Sequence, residues 1–265
     1  MVFNAKKFEL LRFWPSEEAP VYQYSAPDGS PIEEKSSLRD LGVRVSSDLT
    51  SEEQVGTLVQ AGSRMANWAL RTFRRRDAAV MLTILRSVIQ PQLDNCSQLW
   101  SPRNQGAINK IEGVQRKFIS SIKDSSLANL NYWERLSHLK VLSQERRRER
   151  AQILFIWKIS QDMVSGYSLN WSHSERRGRF VIPKAIKLNS SAKVKNARER
   201  SLAVHGARLF NLLPAHLRNE NSGDLDLFKN HLDIFLSTVP DQPTTNGLSR
   251  AANSNSLLDQ IHFCE

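Results

Sequence analysis

The sequence predicts a mainly α protein: a helical bundle preceded by a small antiparallel β element and followed by a disordered tail. Three observations predict it. Val55, Leu58, Val59, Gly62, Met65, Ala66, Ala69, Leu70 and Phe73 recur at the spacing of one helical face. The run from Ala78 to Gln90 is apolar nearly all round, through Val80, Met81, Leu82, Ile84, Leu85, Val88 and Ile89, as a helix central to a core must be. Past Val239 the chain turns to Pro, Thr, Asn, Ser and Gly, a composition with too little apolar surface to bury.

Taken in order, Phe3 to Phe13 and Val21 to Tyr24 alternate apolar and polar positions as strands do, with a turn at Pro27-Asp28-Gly29-Ser30. Leu38 to Val45 is expected to be a third strand. Thr50-Ser51-Glu52-Glu53 has the spacing of a capping box and opens the first helix. Arg64, Arg71 and Arg74 fall largely off that helix's apolar face. Pro91 removes an amide and crowds the preceding turn, so a kink or a stop is expected near residue 90. Ile108, Ile111, Gln115, Phe118 and Ile122 mark the buried face of the next helix, leaving Lys110, Arg116 and Lys117 nearer solvent. A short helix over Tyr132 to Leu139 follows, and then a long one from about Ser143 to Val164. The first half of that long helix holds Arg146, Arg147, Arg148 and Arg150, which its pattern places outward. Residues 165–198, with Gly166, Gly178, Pro183 and scattered basic side chains, read as irregular: either a solvated loop or one that contacts nucleic acid. Two further helices, Ser201 to Leu213 and Asp224 to Leu236, flank Pro214. The expected divisions are 1–48 (β), 49–164 (helical), 165–238 (basic loop and C-terminal helices) and 239–265 (tail).

Charge narrows the function. The 265 residues carry a net charge of +10, and the excess is local: residues 61–236 hold 30 basic and 14 acidic side chains, while residues 1–60 hold 6 and 10. Such a segment repels itself unless it meets an anionic partner or stays solvated, and phosphate backbones and anionic membranes are the common partners. Apolar runs stay well below the roughly 20 residues needed to span a bilayer, and Lys6, Lys7, Glu9 and Arg12 interrupt the start of the chain where a secretory core would lie. Two cysteines, Cys96 and Cys264, provide neither a disulfide framework nor a multi-cysteine zinc site, and fit an intracellular, reducing compartment.

Catalytic patterns are missing. The six histidines are widely separated and form no HExxH or His/Cys spacing. The chain has no GxSxG elbow, no GxxxxGK[ST] loop and no GxGxxG turn. Cys96 reads as a packing residue, and Trp100, Trp133, Trp157 and Trp171 as core residues more readily than as base-stacking platforms.

The chain also carries an ordered series of short matches. They are Asn4-Ala5-Lys6-Lys7; Asp40-Leu41-Gly42-Val43 with Asp48-Leu49; Phe73-Arg74-Arg75-Arg76; Pro91-x-Leu93 with Cys96 and Trp100; and Ile111-Glu112-x-Val114-Gln115-Arg116-x-Phe118. After these come Tyr132-x-Glu134-Arg135-Leu136, Glu145-Arg146-Arg147, Asn211-x-Leu213-Pro214 and Phe228-Lys229. In this order the series resembles the C-terminal region of the reverse transcriptases of jockey-like non-LTR retrotransposons. The resemblance implies a palm remnant over 1–48 and a helical thumb-like domain over 49–164, in a fragment of an RNA-directed DNA polymerase that grips template RNA and nascent DNA.

The implied partners are RNA, DNA or an RNA–DNA hybrid, held without sequence preference through Arg71, Arg74, Arg75, Arg116, Lys117, Arg146, Arg147 and Arg150. The family's Mg²⁺ ions sit on palm aspartates that include an Asp-Asp pair. This sequence contains no Asp-Asp pair, and the family places that box upstream of Met1. The isolated chain is therefore expected to hold no cofactor and to be no enzyme. The alternative is a protein-interaction module with no nucleic-acid role. No membrane partner is expected, and the sequence leaves the oligomeric state open.

Overall fold

The computed structural model describes residues 4, 7–14, 20, 22–174, 178–183, 191–243 and 254–261. The chain divides into two compact units, Met1–Thr57 and Leu58–Glu265.

In the first unit, β1 (Ser37–Asp40) and β2 (Val43–Ser46) pair antiparallel, Leu38 opposite Val45 and Asp40 opposite Val43. The expected single strand from Leu38 to Val45 is thus a hairpin. Its two-residue turn, Leu41-Gly42, has φ of 45° and 93°, the double positive φ that matches the twist of a tight hairpin. Glycine adopts that conformation freely; Leu41 does so while pointing its side chain into solvent. Of the other two expected strands, the described part of the first makes an isolated bridge, Leu10 to Glu34, and Tyr24 at the end of the second accepts from the Ile32 amide beside an isolated bridge from Ser25 to Pro31. Part of both segments lies outside the described residues. Ion pairs Arg12–Glu34 and Lys35–Glu9 join the same stretches.

The long helix α1 (Glu52–Thr72) opens with Glu52 and Glu53 against its positive end and closes with Arg71 near its negative end. Gly62 lets it approach its neighbour closely, because a Cβ there would fall 2.7 Å from the Leu93 side chain. Next come α2 (Ala78–Ile84), a π turn over Leu85–Ile89, and α3 (Gln90–Asp94). Pro91 does not stop the helix. The wider turn just before it re-registers the backbone where the proline offers no amide donor. Met81, Ile84, Leu85, Ile89 and Leu93 are buried as expected, but Ala79, Thr83, Arg86 and Ser87 are exposed, so this stretch is covered on one side and not all round.

The short α4 (Ser97–Trp100) leads to α5 (Gln105–Ser120), capped by the Asn104 side chain, and α6 (Tyr132–Leu139), opened by a capping box between Asn131 and Glu134. Ile108, Ile111, Phe118 and Ile122 are buried as expected, and so is Gln115. α7 (Gln144–Ser160) ends four residues earlier than expected and packs on α4 and α5.

The region expected to be irregular holds a hairpin instead, β3 (Asn170–Ser174) paired with β4 (Gly178–Ile182), followed by α8 (Ala192–Arg200). Val181 is fully buried, and its amide and carbonyl both bond the Asn211 side chain. Four of the basic side chains of the expected irregular region, Arg176, Arg177, Lys184 and Lys187, lie outside the described residues. A second π turn, Leu202–Gly206, leads into α9 (Ala207–Asn211), which packs on α7. α10 (Ala215–Arg218) and α11 (Leu225–Thr238) complete this part. Trp157 of α7 stacks on Phe228 of α11 at 4.6 Å, and both are fully buried.

The tail is only partly as expected. Residues 244–253 and 262–265 lie outside the described set, but residues 254–261 dock, with α12 (Leu257–Ile261) resting on the core through buried Leu257. Among the described residues, no helix is long and apolar enough to cross a membrane.

Candidate nucleic-acid interface

The eight basic residues singled out by the sequence fall into two sets with different fates. Helical spacing places the first. With Leu58, Gly62, Ala66 and Ala69 of α1 turned inward, Arg64, Trp68 and Arg71 follow one another at i, i+4 and i+7 on its exposed side. Beyond Thr72 the backbone leaves the helix, and Arg76 Nη2 donates to the Leu70 carbonyl at 2.9 Å, satisfying one of the last orphan acceptors. The Lys123 amide donates to the Arg76 carbonyl at 2.8 Å and ties this segment to the end of α5.

Two of the expected residues meet here. Lys117 Nζ on α5 donates to Asn67 Oδ1 at 3.2 Å, and Arg71 Nε donates to the Asn67 carbonyl at 3.2 Å, so one asparagine joins two cationic side chains. Arg74 and Arg75 follow in the sequence, just past the end of α1, and are exposed. From Leu58 to Arg76 the sequence has five arginines and no carboxylate. Asp77 then pairs with Arg75; the Val80 amide it accepts from, and after that Arg75, hold its carboxyl below the usual range. That pair is well exposed and contributes little to stability.

Arg116, the fifth, lies on the same helix as Lys117 but turns toward α6, its guanidinium 4.8 Å from the centre of the Tyr132 ring and 5.9 Å from that of Trp133. With Arg135 and Ser120 it lines a recess of about 260 Å³. The five residues Arg71, Arg74, Arg75, Arg116 and Lys117 are all exposed.

The second set corrects the expectation of outward arginines on α7. Arg146 is fully buried, its Nη2 donating to the Pro240 carbonyl at 2.9 Å. Arg147 forks onto Asp94, and Arg150 onto Asp233, with Nη2 2.7 Å from Oδ2. Arg148, which the same pattern placed outward, is 1% exposed and none of its guanidinium nitrogens has a hydrogen-bond partner. The fields of Glu145, Glu112, Glu149 and Asp94 oppose its desolvation. The physical reason is coverage: α7 is covered on several sides, so a run of charges that looks amphipathic becomes the centre of a buried polar network.

That network is continuous. Glu112 accepts from Tyr132 Oη and from the Gln144 amide, and burial pushes its carboxyl up to about 7. Glu145 accepts from the Asn255 amide, and Glu149 from Ser256 Oγ and the Leu257 amide. Burial raises both of these carboxyls as well, and for Glu145 the neighbouring charge of Glu149 adds to it. Asp241 receives Ser143 Oγ and Asn255 Nδ2, each at 2.7 Å. The carboxylates here are bonded from within the protein, whereas Arg148 and two nitrogens of Arg146 have only the carboxylate fields to offset their burial, so the network reads as part of the core and is closed to solvent.

Two side chains outside the expected set belong to the exposed face: Trp68 and Phe73, in edge-to-face contact at 6.0 Å, with relative exposures of 45% and 38%. Spacing assigns Phe73 to the buried face, but it sits past the end of α1 where helical spacing no longer applies. Trp68 is legible in the sequence: it lies between Arg64 and Arg71 on the polar stripe. The tryptophans expected in the core divide, with Trp100 and Trp157 buried and Trp133 and Trp171 half-buried.

Among the described residues, no group of three His, Cys, Asp or Glu side chains is placed to hold a metal ion. No family model matches the chain, and neither a curated protein nor a solved structure was found to match it.

Proposed function

We propose that this chain is a fragment resembling the thumb-like C-terminal region of a jockey-like non-LTR reverse transcriptase, and that it binds RNA, DNA or an RNA–DNA hybrid through backbone phosphates without sequence preference. The observation that carries the reading is the junction of Arg71 and Lys117 on Asn67, continued by exposed Arg74 and Arg75 in a stretch free of carboxylates. Asp77 answers Arg75 alone, and that pair is exposed and exchangeable; exposed cations at a helix end meet phosphates and release condensed counterions, and they read no bases in doing so. The residues do not fit the family's Mg²⁺ centre, since the sequence has no Asp-Asp pair, and no step of polymerisation is assigned to this chain.

A salt titration of filter binding tests it. Affinity for a short RNA–DNA hybrid should fall steeply with salt. Replacing Arg71, Arg74, Arg75 and Lys117 together by alanine should flatten the log–log slope by up to roughly 3.6, since each phosphate no longer neutralised removes close to 0.9 from it. A wild-type protein without salt dependence, or a variant with an unchanged slope, refutes the reading.

A second reading, a protein-interaction module, is favoured by one observation in the first unit: Phe13, Tyr22, Tyr24 and Leu41 are exposed, Leu41 almost completely. Binding to a purified partner that survives nuclease and disappears on Leu41→Ser with Tyr22→Ser would support it over the first.

A further inference from the structure

We infer that the Trp68–Phe73 pair is a stacking platform for an unpaired base, so that this surface prefers single-stranded RNA or DNA to a duplex. The inference rests on the phosphate-binding reading above and goes beyond it by naming the form of nucleic acid.

Single exposed apolar residues are ordinary on protein surfaces. This pair is distinguished by its surroundings. Trp68 lies one helical turn from Arg64 on one side and three residues from Arg71 on the other, and Phe73 is followed directly by Arg74 and Arg75. The edge-to-face geometry, with rings 88° apart, has Phe73 bracing the indole while leaving 45% of Trp68 in solvent. Aromatic rings interleaved with cations that track a backbone are the combination by which proteins hold single strands: each base offers a π face whatever its identity, and each phosphate meets a guanidinium. A duplex hides those faces inside its stack, so it could use the arginines but not the indole. The absence of any carboxylate between Leu58 and Arg76 favours a polyanion over a neutral apolar partner on this stripe.

The test uses the full chain and a short single-stranded RNA carrying one 2-aminopurine, whose fluorescence reports stacking, beside the same strand paired in an RNA–DNA hybrid. Trp68→Ala should weaken single-strand binding by about 5- to 100-fold and abolish the fluorescence change, while hybrid affinity stays within about twofold. Trp68→Phe should restore most of the affinity. Because Trp68 is exposed, the variants should melt with the wild type, and a melting curve checks this. Equal weakening on both ligands, or none on either, overturns the platform. The alanine variant at Arg71, Arg74, Arg75 and Lys117 separates the two readings. If its salt slope falls while Trp68→Ala does nothing, only the platform fails, and if neither responds the nucleic-acid reading fails with it.

Discussion

Replacing Glu112 by glutamine should make the protein progressively more stable than wild type as pH rises. Glu112 is 3% exposed on α5, and burial outweighs the bonds from Tyr132 and Gln144 and the field of Arg148, so its folded pKa is about 7 against an ordinary 4.5. Between those values the native state binds more of this proton than the unfolded state. Stability from this group is therefore fully present below pH 4.5 and is lost as pH rises to 7. At 1.36 kcal/mol per pH unit, the loss is about 3 kcal/mol. Glutamine keeps the shape of the protonated acid: its oxygen accepts from the Gln144 amide, and its amide group donates to Tyr132 Oη once that hydroxyl, which now donates to Glu112, turns its proton away. It does not titrate. Glu145 and Glu149 add losses of the same sign, and His205, pushed down to about 4 by burial, adds one of opposite sign between its folded and ordinary values. The difference between variant and wild type at each pH cancels those groups to first order. Urea denaturation from about pH 5 to pH 8 should then show the variant gaining about 2–3 kcal/mol on wild type. A difference that is flat, or that turns against the variant above neutral pH, would mean that the carboxylate is ionised in the native protein throughout and that the burial argument is wrong.

Two other outcomes follow from the same packing. Arg148→Met keeps the apolar stem but removes the charge that offsets Glu145, Glu112 and Glu149, and should destabilise by about 3–5 kcal/mol, more at high pH than at low; denaturation indistinguishable from wild type would show that the carboxylates need no counter-charge. Leu85→Ala and Phe118→Ala, both at fully buried positions, should each cost about 2–5 kcal/mol through forfeited transfer energy and a residual cavity, read as the shift of a urea midpoint.

Periodicity alone placed much of this protein. The helix over Tyr132 to Leu139 is found at the expected residues, α1 and α11 lie within two residues of expectation, and Leu85, Ile89 and Phe118 are buried as read. Those judgements depend only on which residues share a helical face, and neighbours along the chain decide that. The concentration of positive charge was equally legible, as was the exposure of Arg71, Arg116 and Lys117, because their helices have one covered side. Tertiary structure decided the rest. Whether Arg146 and Arg148 face water depends on Glu112, Asp94 and Pro240, which are remote in sequence, and on how many sides of α7 are covered. The β3–β4 hairpin was hidden by its basic surroundings, and Asn211, from another element, completes its bonding. The segment at 254–261 has a tail's composition, and it is ordered by the bonds that Asn255, Ser256 and Leu257 make to Glu145 and Glu149. Local pattern fixes which face a residue shares; what covers that face is set by packing between distant segments, and that decides whether a charge is available to a ligand.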